Sequence, residues 1–226
     1  MSLKLIIGNK NYSSWSLRAW LFLTESNISF EEIRIPLFTP QWQQITTYTP
    51  AARVPVLLDG DLAIWDTMAI YEYVLEQFPE AVGWPKDRKA RAMARAISAE
   101  MHAGFFGIRD QLPQNIRARN PLTLDTLSSK TQKEIERVQS MWTECLETYG
   151  GPWLFGEFSI ADVVYAPVAL RFVAYQIKLA SRAQPFIEAV QALPSIQRWA
   201  AESAAEPEVL AFIDELRPAS ETELTL

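Results

Sequence analysis

The sequence predicts a small α/β domain followed by an all-helical domain. Strand and helix signals alternate over residues 1–80. The stretch from Pro79 to Asp87 contains two prolines and a glycine, which is typical of a linker, and we place the linker at residues 81–87. Beyond it the strand signals stop and only helical periodicity remains. Residues 88–226 are therefore predicted to form a second, helical domain.

The first half is predicted to contain a β-α-β unit followed by β-β-α. Short apolar runs bounded by turn residues indicate strands, and apolar residues three and four positions apart indicate helices. Asp59-Gly60 between two apolar runs is a strong hairpin signal. The predicted elements are strand Leu3–Ile7, helix Ser16–Glu25, strand Phe30–Ile35, a short helix at Gln41–Thr46, strands Val54–Leu58 and Leu62–Trp65, and a helix from Asp66 that ends at Pro79.

Helical signals alone occupy the second half. Ser159, followed three residues later by Asp162, is a variant of the capping box, which places a helix start at this point. The helix beyond it is apolar almost all round, so it is predicted to be the buried centre of the domain. The predicted helices are Lys86–Leu112, a segment from Ile135 to Tyr149, Val163–Leu179, Gln184–Leu193 and Ser195–Ala205, and the polar tail Arg217–Leu226 is predicted to fray.

Composition narrows the function classes. The chain has 226 residues and a net charge of -6, which argues against a general nucleic-acid binder. One histidine and one cysteine nearly exclude a zinc site of the usual ligands. Cys145 lies on the apolar stripe of a predicted helix and is interpreted as a core residue. No apolar run approaches the length of a membrane span, and no signal peptide is recognisable, so the predicted location is the cytoplasm.

A polar loop between the first strand and the first helix is the strongest candidate for chemistry. Ser13 and Ser14 lie just ahead of the helix start, where free N–H groups and the helix dipole favour negative charge. A hydroxyl at this position can donate a hydrogen bond to an anion. The alternative is that one of these serines is only the N-cap of the helix.

Four local features, in order and at family-like spacings, resemble the cytosolic glutathione transferases over essentially the whole chain. The loop-to-helix junction is similar to the serine junction of the zeta and theta classes. Val-Pro, a Glu/Gln-Ser-x-Ala-Ile motif and a Ser/Thr-x-x-Asp box are also matched. The matching segments are Ser13–Arg18, Val54-Pro55, Asp66–Ile70 and Ser159–Asp162.

The resemblance implies a thioredoxin-like N-terminal domain that binds glutathione, with a second substrate held between the domains and no metal. It also implies that the Val54-Pro55 peptide bond is cis, so that the backbone of Val54 can pair with glutathione like an added strand; the alternative is a trans bond that starts an edge strand. Asp66 and Thr67 are expected to hold the γ-glutamyl end. Arg53 and Gln41 (or Gln43) are candidates for the glycyl carboxylate, with surface polarity as the alternative.

The same resemblance implies that a hydroxyl stabilises the thiolate of glutathione. Ser13 is preferred as the donor, Ser14 is second and Tyr12 third. Asn11 departs from the family, because other classes place a catalytic Ser or Cys there, and the absence of Cys from the loop argues against an omega-like thiol reductase. The pocket for the electrophile is predicted to include Tyr12, Trp15, His102, Phe105 and Phe106, with ordinary helix packing as the alternative for the last three.

The predicted function is therefore conjugation of reduced glutathione to small hydrophobic electrophiles by a homodimer. Two alternatives are also glutathione-dependent enzymes, namely a maleylacetoacetate-isomerase-like cis-trans isomerase and a dehalogenase. A third alternative is a non-catalytic binding module with the same fold. The sequence predicts no partner among nucleic acids or membranes.

Overall fold

A four-stranded sheet forms the first half of the computed structural model, which describes residues 3–215. Its strands are β1 (Leu3–Ile7), β2 (Phe30–Arg34), β3 (Val56–Asp59) and β4 (Leu62–Trp65), arranged in the order β2-β1-β3-β4. β1 pairs with β2 in parallel, and β3 is antiparallel to both of its neighbours. The predicted hairpin is confirmed, with Gly60 at a φ of +58° in the turn.

Helices pack on this sheet and build the second half of the chain. Between β2 and β3 the short predicted helix is a 3₁₀ helix at Pro40–Thr47. The α-helices are α1 (Ser14–Glu25), α2 (Thr67–Gln77), α3 (Arg88–Ala103), α4 (Phe106–Gln111), α5 (Ser129–Tyr149), α6 (Ile160–Ala174), α7 (Gln184–Ala192), α8 (Pro194–Ala204) and α9 (Ala211–Asp214). The predicted fold class, an α/β domain joined to an all-helical one, is confirmed.

Helix α6 is the centre of the helical half, as its composition predicts. It packs against α1, α3 and α7, and nearly all of its side chains are buried. Its contact with α1 brings the first helix of the α/β domain directly against the second domain. The two domains therefore meet at the start of α1, beside the loop that the sequence singles out.

The start of α6 is held by a buried carboxylate. Asp162 is fully buried, and its Oδ2 accepts hydrogen bonds from the N–H of Ser159 at 2.8 Å and from the Ser159 hydroxyl at 2.9 Å. Its Oδ1 accepts from the N–H of Leu154 at 2.8 Å. The carboxylate therefore satisfies backbone donors both at the helix start and in the preceding segment.

One long predicted helix, Lys86–Leu112, is wrong as a single element. It is broken at Gly104, which is extended, and at Phe105, which adopts a left-handed φ of +56°. Arg109 stabilises the break, because its guanidinium donates to the carbonyl groups of Gly104 and Met101 at the end of α3.

The predicted helix Val163–Leu179 is also too long, because α6 ends at Ala174. Gln176 has a φ of +52°, and the N–H of Ile177 reaches back to the carbonyl of Phe172 at 2.8 Å. This pattern ends a helix by turning the chain into a left-handed residue. A short further helix, α9, was not predicted at all.

No helix among residues 3–215 has both the length and the apolarity that a membrane crossing requires. The predicted fraying tail, Arg217–Leu226, lies outside the described residues.

Candidate active site

A cavity of about 580 Å³ lies where the α/β domain faces α3. Four separate parts of the chain build it: the loop before β3, the junction of β4 and α2, one side chain from α1 and one from α3. Its walls are formed by Trp15, Ala51, Arg53, Val54, Pro55, Trp65, Asp66, Thr67 and His102. All but Ala51 and Trp65 are residues that the sequence nominated, either for glutathione or for the second substrate.

The loop before β3 presents backbone to this cavity. The Val54-Pro55 peptide bond is cis, as predicted. Within residues 3–215, neither the N–H nor the C=O of Val54 is hydrogen-bonded to another group. A backbone segment with a free donor and a free acceptor can pair with an extended peptide. Arg53, which precedes it, is exposed at the rim.

The junction of β4 and α2 carries a strained residue. Asp66 is the N-cap of α2, where its carboxylate accepts from the N–H of Met68 at 2.9 Å, and its φ is +75°. A non-glycine residue in that region costs about 1–3 kcal/mol, and such strain is concentrated at functional sites. Thr67, next in the chain, is 1% exposed, and its hydroxyl lies beside that of Tyr71 without a hydrogen-bond partner among the described residues. This helix start thus combines a carboxylate with an unused hydroxyl donor.

The helical domain closes the cavity from the other side. Nε2 of His102, in the last turn of α3, lies 3.2 Å from Oδ2 of Asp66. The ring of His102 also meets Trp15 edge to face, with their centroids 5.1 Å apart. His102 and Trp15 therefore connect the two halves of the protein across the cavity.

The two serines of the junction have different surroundings. Ser13 is the N-cap of α1: its Oγ accepts from the N–H of Ser16 at 3.2 Å and donates to the Ser16 hydroxyl at 2.8 Å. Ser14 Oγ accepts from Nη2 of Arg171 at 3.2 Å, and its own proton has no acceptor among the described residues. Both side chains are buried, at 6% and 5% exposure, and neither lines the cavity. The N-cap interpretation therefore holds for Ser13, whereas the hydroxyl proton of Ser14 is uncommitted.

The rest of the polar loop is bound to the C-terminal segment. Both backbone N–H groups of Lys10 and Asn11 donate to the carboxylate of Glu206. The hydroxyl of Tyr12 accepts from Arg117 at 2.7 Å and donates to Asp214. Tyr12 thus faces the C-terminal segment and is not part of the cavity wall. These contacts fix the loop that leads into the two serines.

Three other nominated residues lie outside the cavity. Gln41 is exposed on the 3₁₀ helix, and Phe106 is 63% exposed on α4. Phe105 is buried at the break between α3 and α4. The break explains both phenylalanine positions, because an unbroken helix would have placed them in line with His102. Their assignment to the site, like that of Gln41 and Tyr12, stays a prediction without support from this cavity.

A larger depression of about 800 Å³ is lined by Lys10, Glu32, Arg34 and Glu202 among others, and contains none of the nominated binding residues. Lys10 is buried there between the rings of Trp20 and Trp199 and pairs with Glu32. We interpret this depression as a packing contact between α1, β2 and α8. Within residues 3–215 no cluster of carboxylate, histidine or cysteine side chains is arranged to hold a metal ion.

Three arginines around the start of α1 were missed at the sequence level. Arg18 is 1% exposed and Arg171 is 4% exposed, and Arg109 is partly buried beside them. Arg18 and Arg109 lie against the ring of Trp15, with their guanidinium carbons 4.7 Å and 4.9 Å from its centroid. The signal for Arg171 was present, because an arginine in a helix that is apolar all round must be buried.

Comparison with known proteins agrees with this geometry. Residues 12–77 match the family model described as glutathione S-transferase, N-terminal domain. Rat maleylacetoacetate isomerase is 28% identical over 172 residues, which cover 74% of this chain and 77% of that protein. Glutathione S-transferase 1 of Dianthus caryophyllus is 29% identical over 174 residues, covering 73% and 75%.

Solved structures share the whole fold. A glutathione transferase homologue from Burkholderia strain BGR1, with bound glutathione, superposes with a TM-score of 0.69 at 24% identity and covers 91% of this chain and 100% of that one. A bacterial maleyl pyruvate isomerase of the zeta class superposes with a TM-score of 0.69 at 19% identity, covering 92% and 100%.

Proposed function

We propose that this chain is a glutathione S-transferase, whose N-terminal domain model matches residues 12–77, and that it conjugates reduced glutathione to small hydrophobic electrophiles. One observation carries the proposal: residues nominated for glutathione in two separate stretches, Arg53–Pro55 and Asp66–Thr67, converge on a single cavity. The same cavity is closed by His102 of the helical domain, so a second substrate can be held between the domains.

Glutathione fits this cavity as an extended peptide. The backbone of Val54 pairs with its cysteinyl residue, since neither backbone group of Val54 has a partner within residues 3–215. The start of α2 holds the γ-glutamyl end: the N–H groups and the Thr67 hydroxyl bind the carboxylate, and Asp66 binds the amino group. Arg53, exposed at the rim, is placed for the glycyl carboxylate.

The chemistry is attack by the glutathione sulfur on an electrophilic carbon. The thiol loses its proton to solvent, a C–S bond forms, and the leaving group departs with its electron pair. A free thiol has a pKa of about 8.5, so the enzyme has to stabilise the thiolate at neutral pH. We assign the hydrogen bond to sulfur to Ser14, because its proton is uncommitted whereas that of Ser13 is given to Ser16. Trp15 and His102 border the electrophile.

Replacing Thr67 with valine is expected to weaken glutathione binding by roughly tenfold, since the variant keeps the shape but loses one hydrogen bond to a charged carboxylate. Isothermal titration calorimetry with glutathione measures this. Thr126→Val, in an exposed 3₁₀ turn away from the cavity, is the matched control. Equal affinity for glutathione in wild type and Thr67→Val would show that the γ-glutamyl end does not bind at the start of α2.

A cis-trans isomerase is the second candidate, favoured by the match to rat maleylacetoacetate isomerase over 77% of that protein's length. In that reaction the thiolate adds to the substrate and later leaves. We expect conjugation of a chloronitrobenzene to exceed the isomerisation of maleylacetone at equal enzyme concentration. Faster isomerisation would make the isomerase the preferred function.

A dehalogenase is a further alternative, but the dichloromethane dehalogenase of Methylophilus leisingeri matches over 68 residues only, or 25% of its length.

A binding module without catalysis would itself be retained on a glutathione-affinity resin but would show neither activity.

We propose a homodimer, supported by large apolar side chains that remain exposed on β4 and α3, Leu62 at 50% and Met93 at 45%. Sedimentation equilibrium measures the mass, and a monomer would exclude it. A reducing compartment such as the cytoplasm agrees with one buried, free cysteine, Cys145.

A further inference from the structure

Two buried arginines near Ser14, Arg18 and Arg171, have no negative partner among the described residues. No carboxylate oxygen among the described residues lies within salt-bridge distance of Arg18 or Arg171, although Arg34, Arg137 and Arg182 elsewhere are all paired. An unpaired charge in the interior is strongly destabilising, so a protein that keeps one is expected to use it for a purpose. Their position against Ser14 and Trp15 suggests that purpose.

Most donors of both guanidinium groups are unused. Arg18 donates from Nε to the carbonyl of Val164 at 2.9 Å, and its two terminal nitrogens have no partner within residues 3–215. Arg171 donates from Nη2 to Ser14 Oγ, and its Nε and Nη1 are likewise unpartnered there. Buried polar groups without a partner are rare in native proteins and call for an explanation.

The pKa shifts of the two arginines agree with a shortage of negative charge around them. Burial lowers the pKa of Arg171 to about 9, and repulsion from Arg18 and Arg109 adds to the effect. Burial likewise lowers the pKa of Arg18 to about 10, with Arg109 adding to it. Both remain cationic at neutral pH. The ionisable groups around the two arginines are Arg109, Tyr71, Tyr165, Tyr175 and Asp66.

We propose that Arg171 is a positioning residue for thiolate formation. It holds the Ser14 hydroxyl as an acceptor and directs the Ser14 proton outward toward the sulfur of glutathione. Together with Arg18, it supplies the positive potential that stabilises the thiolate. A hydroxyl that accepts from a guanidinium is a stronger donor, because hydrogen bonds in a chain polarise one another. In a water-poor interior a fixed positive charge also acts over a longer distance than in solvent. The inference rests on the proposed function.

The test is the pKa of enzyme-bound glutathione, read from the ultraviolet absorbance of the thiolate as a function of pH. Arg171→Met is expected to raise that pKa by about 1 unit, which leaves roughly tenfold less thiolate below the pKa. Arg171→Lys, which keeps the charge, is expected to recover part of the shift. The control is Arg182→Met, which removes an exposed arginine paired with Glu147 and is expected to leave the pKa unchanged.

Stability separates this role from a structural one. Methionine has a volume similar to that of arginine and carries no charge, so Arg171→Met is expected to melt at the wild-type temperature or above it. A lower melting temperature with an unchanged thiol pKa would show that Arg171 serves packing and overturn the proposal. Should Arg171→Met fail to fold, the comparison of Arg171→Lys and Arg171→Gln carries the same test, with the charged variant expected to have the lower thiol pKa.

A double-mutant cycle tests whether Arg171 acts through Ser14. If it does, Ser14→Ala and Arg171→Met together raise the thiol pKa by less than the sum of the single effects. Additive shifts would overturn the relay. If wild-type enzyme binds glutathione without lowering its thiol pKa, the proposed function fails; if wild type lowers it and Arg171→Met does so equally, only this inference fails.

Discussion

Ser14→Ala is expected to lower kcat/KM for glutathione conjugation by roughly 10²-fold, the order found when one preorganised donor to a developing anion is removed. Among the described residues the Ser14 proton has no acceptor, which is why we propose the sulfur of glutathione as its partner. Because the lost hydrogen bond favours the charged form of the thiol, the pKa of bound glutathione is expected to rise. Steady-state conjugation kinetics across pH measure both effects, and the plateau at high pH is expected to approach that of wild type.

Ser13→Ala is the matched control, one residue away. Ser13 caps α1 by accepting from the N–H of Ser16, so its loss is expected to cost about 1 kcal/mol of unfolding free energy with a much smaller effect on rate. A larger loss of rate in Ser13→Ala than in Ser14→Ala would show that Ser13 is the donor to the glutathione sulfur, as the sequence suggested. It would mean that bound glutathione displaces the bond between Ser13 and Ser16.

Local patterns predicted the elements of the α/β domain well. Strands β1, β3 and β4 were predicted because their apolar runs end at glycine or at an Asp-Gly turn, which are signals contained in the segment itself. The ends of helices in the second domain were less predictable. The break at Gly104 depends on Arg109 reaching back to the end of α3, and such a contact leaves no trace in hydrophobic periodicity.

The same difference between local signals and contacts of distant residues applies to the candidate site. Val54, Asp66 and Thr67 could be nominated because each belongs to a short motif, and they line one cavity. The difference between the surroundings of Ser13 and Ser14 could not be predicted, because it depends on Arg171, 157 positions along the chain from Ser14. Phe106 lies outside this cavity for a similar reason, since the predicted helix that carries His102 is broken at Gly104 and Phe105.

Asp162→Ala is expected to have the largest effect on stability, lowering the free energy of unfolding by about 3–5 kcal/mol. Alanine would leave the buried N–H groups of Leu154 and Ser159 without their acceptor at the start of the central helix. Equilibrium unfolding in urea measures the change. Asp125→Ala, at an exposed position, is the control and is expected to stay within about 0.5 kcal/mol of wild type. A change below about 1 kcal/mol in Asp162→Ala would mean that the carboxylate is dispensable for folding.

The charge of Asp162 has a separate, opposite contribution that depends on pH. Burial raises the pKa of Asp162 to about 6, although hydrogen bonds from Leu154 and Ser159 oppose the rise. The folded state therefore holds a proton more tightly than the unfolded chain, whose aspartate has a pKa of about 3.9. Between these values the folded state binds more protons, so the contribution of this group to stability falls as pH rises from about 4 to about 6. Asp162→Asn removes the titration and keeps one acceptor. As pH rises over that range, the unfolding free energy of wild type is expected to fall relative to that of Asp162→Asn. A difference between the two that is independent of pH would show that the charge of Asp162 is fully compensated by its three hydrogen bonds.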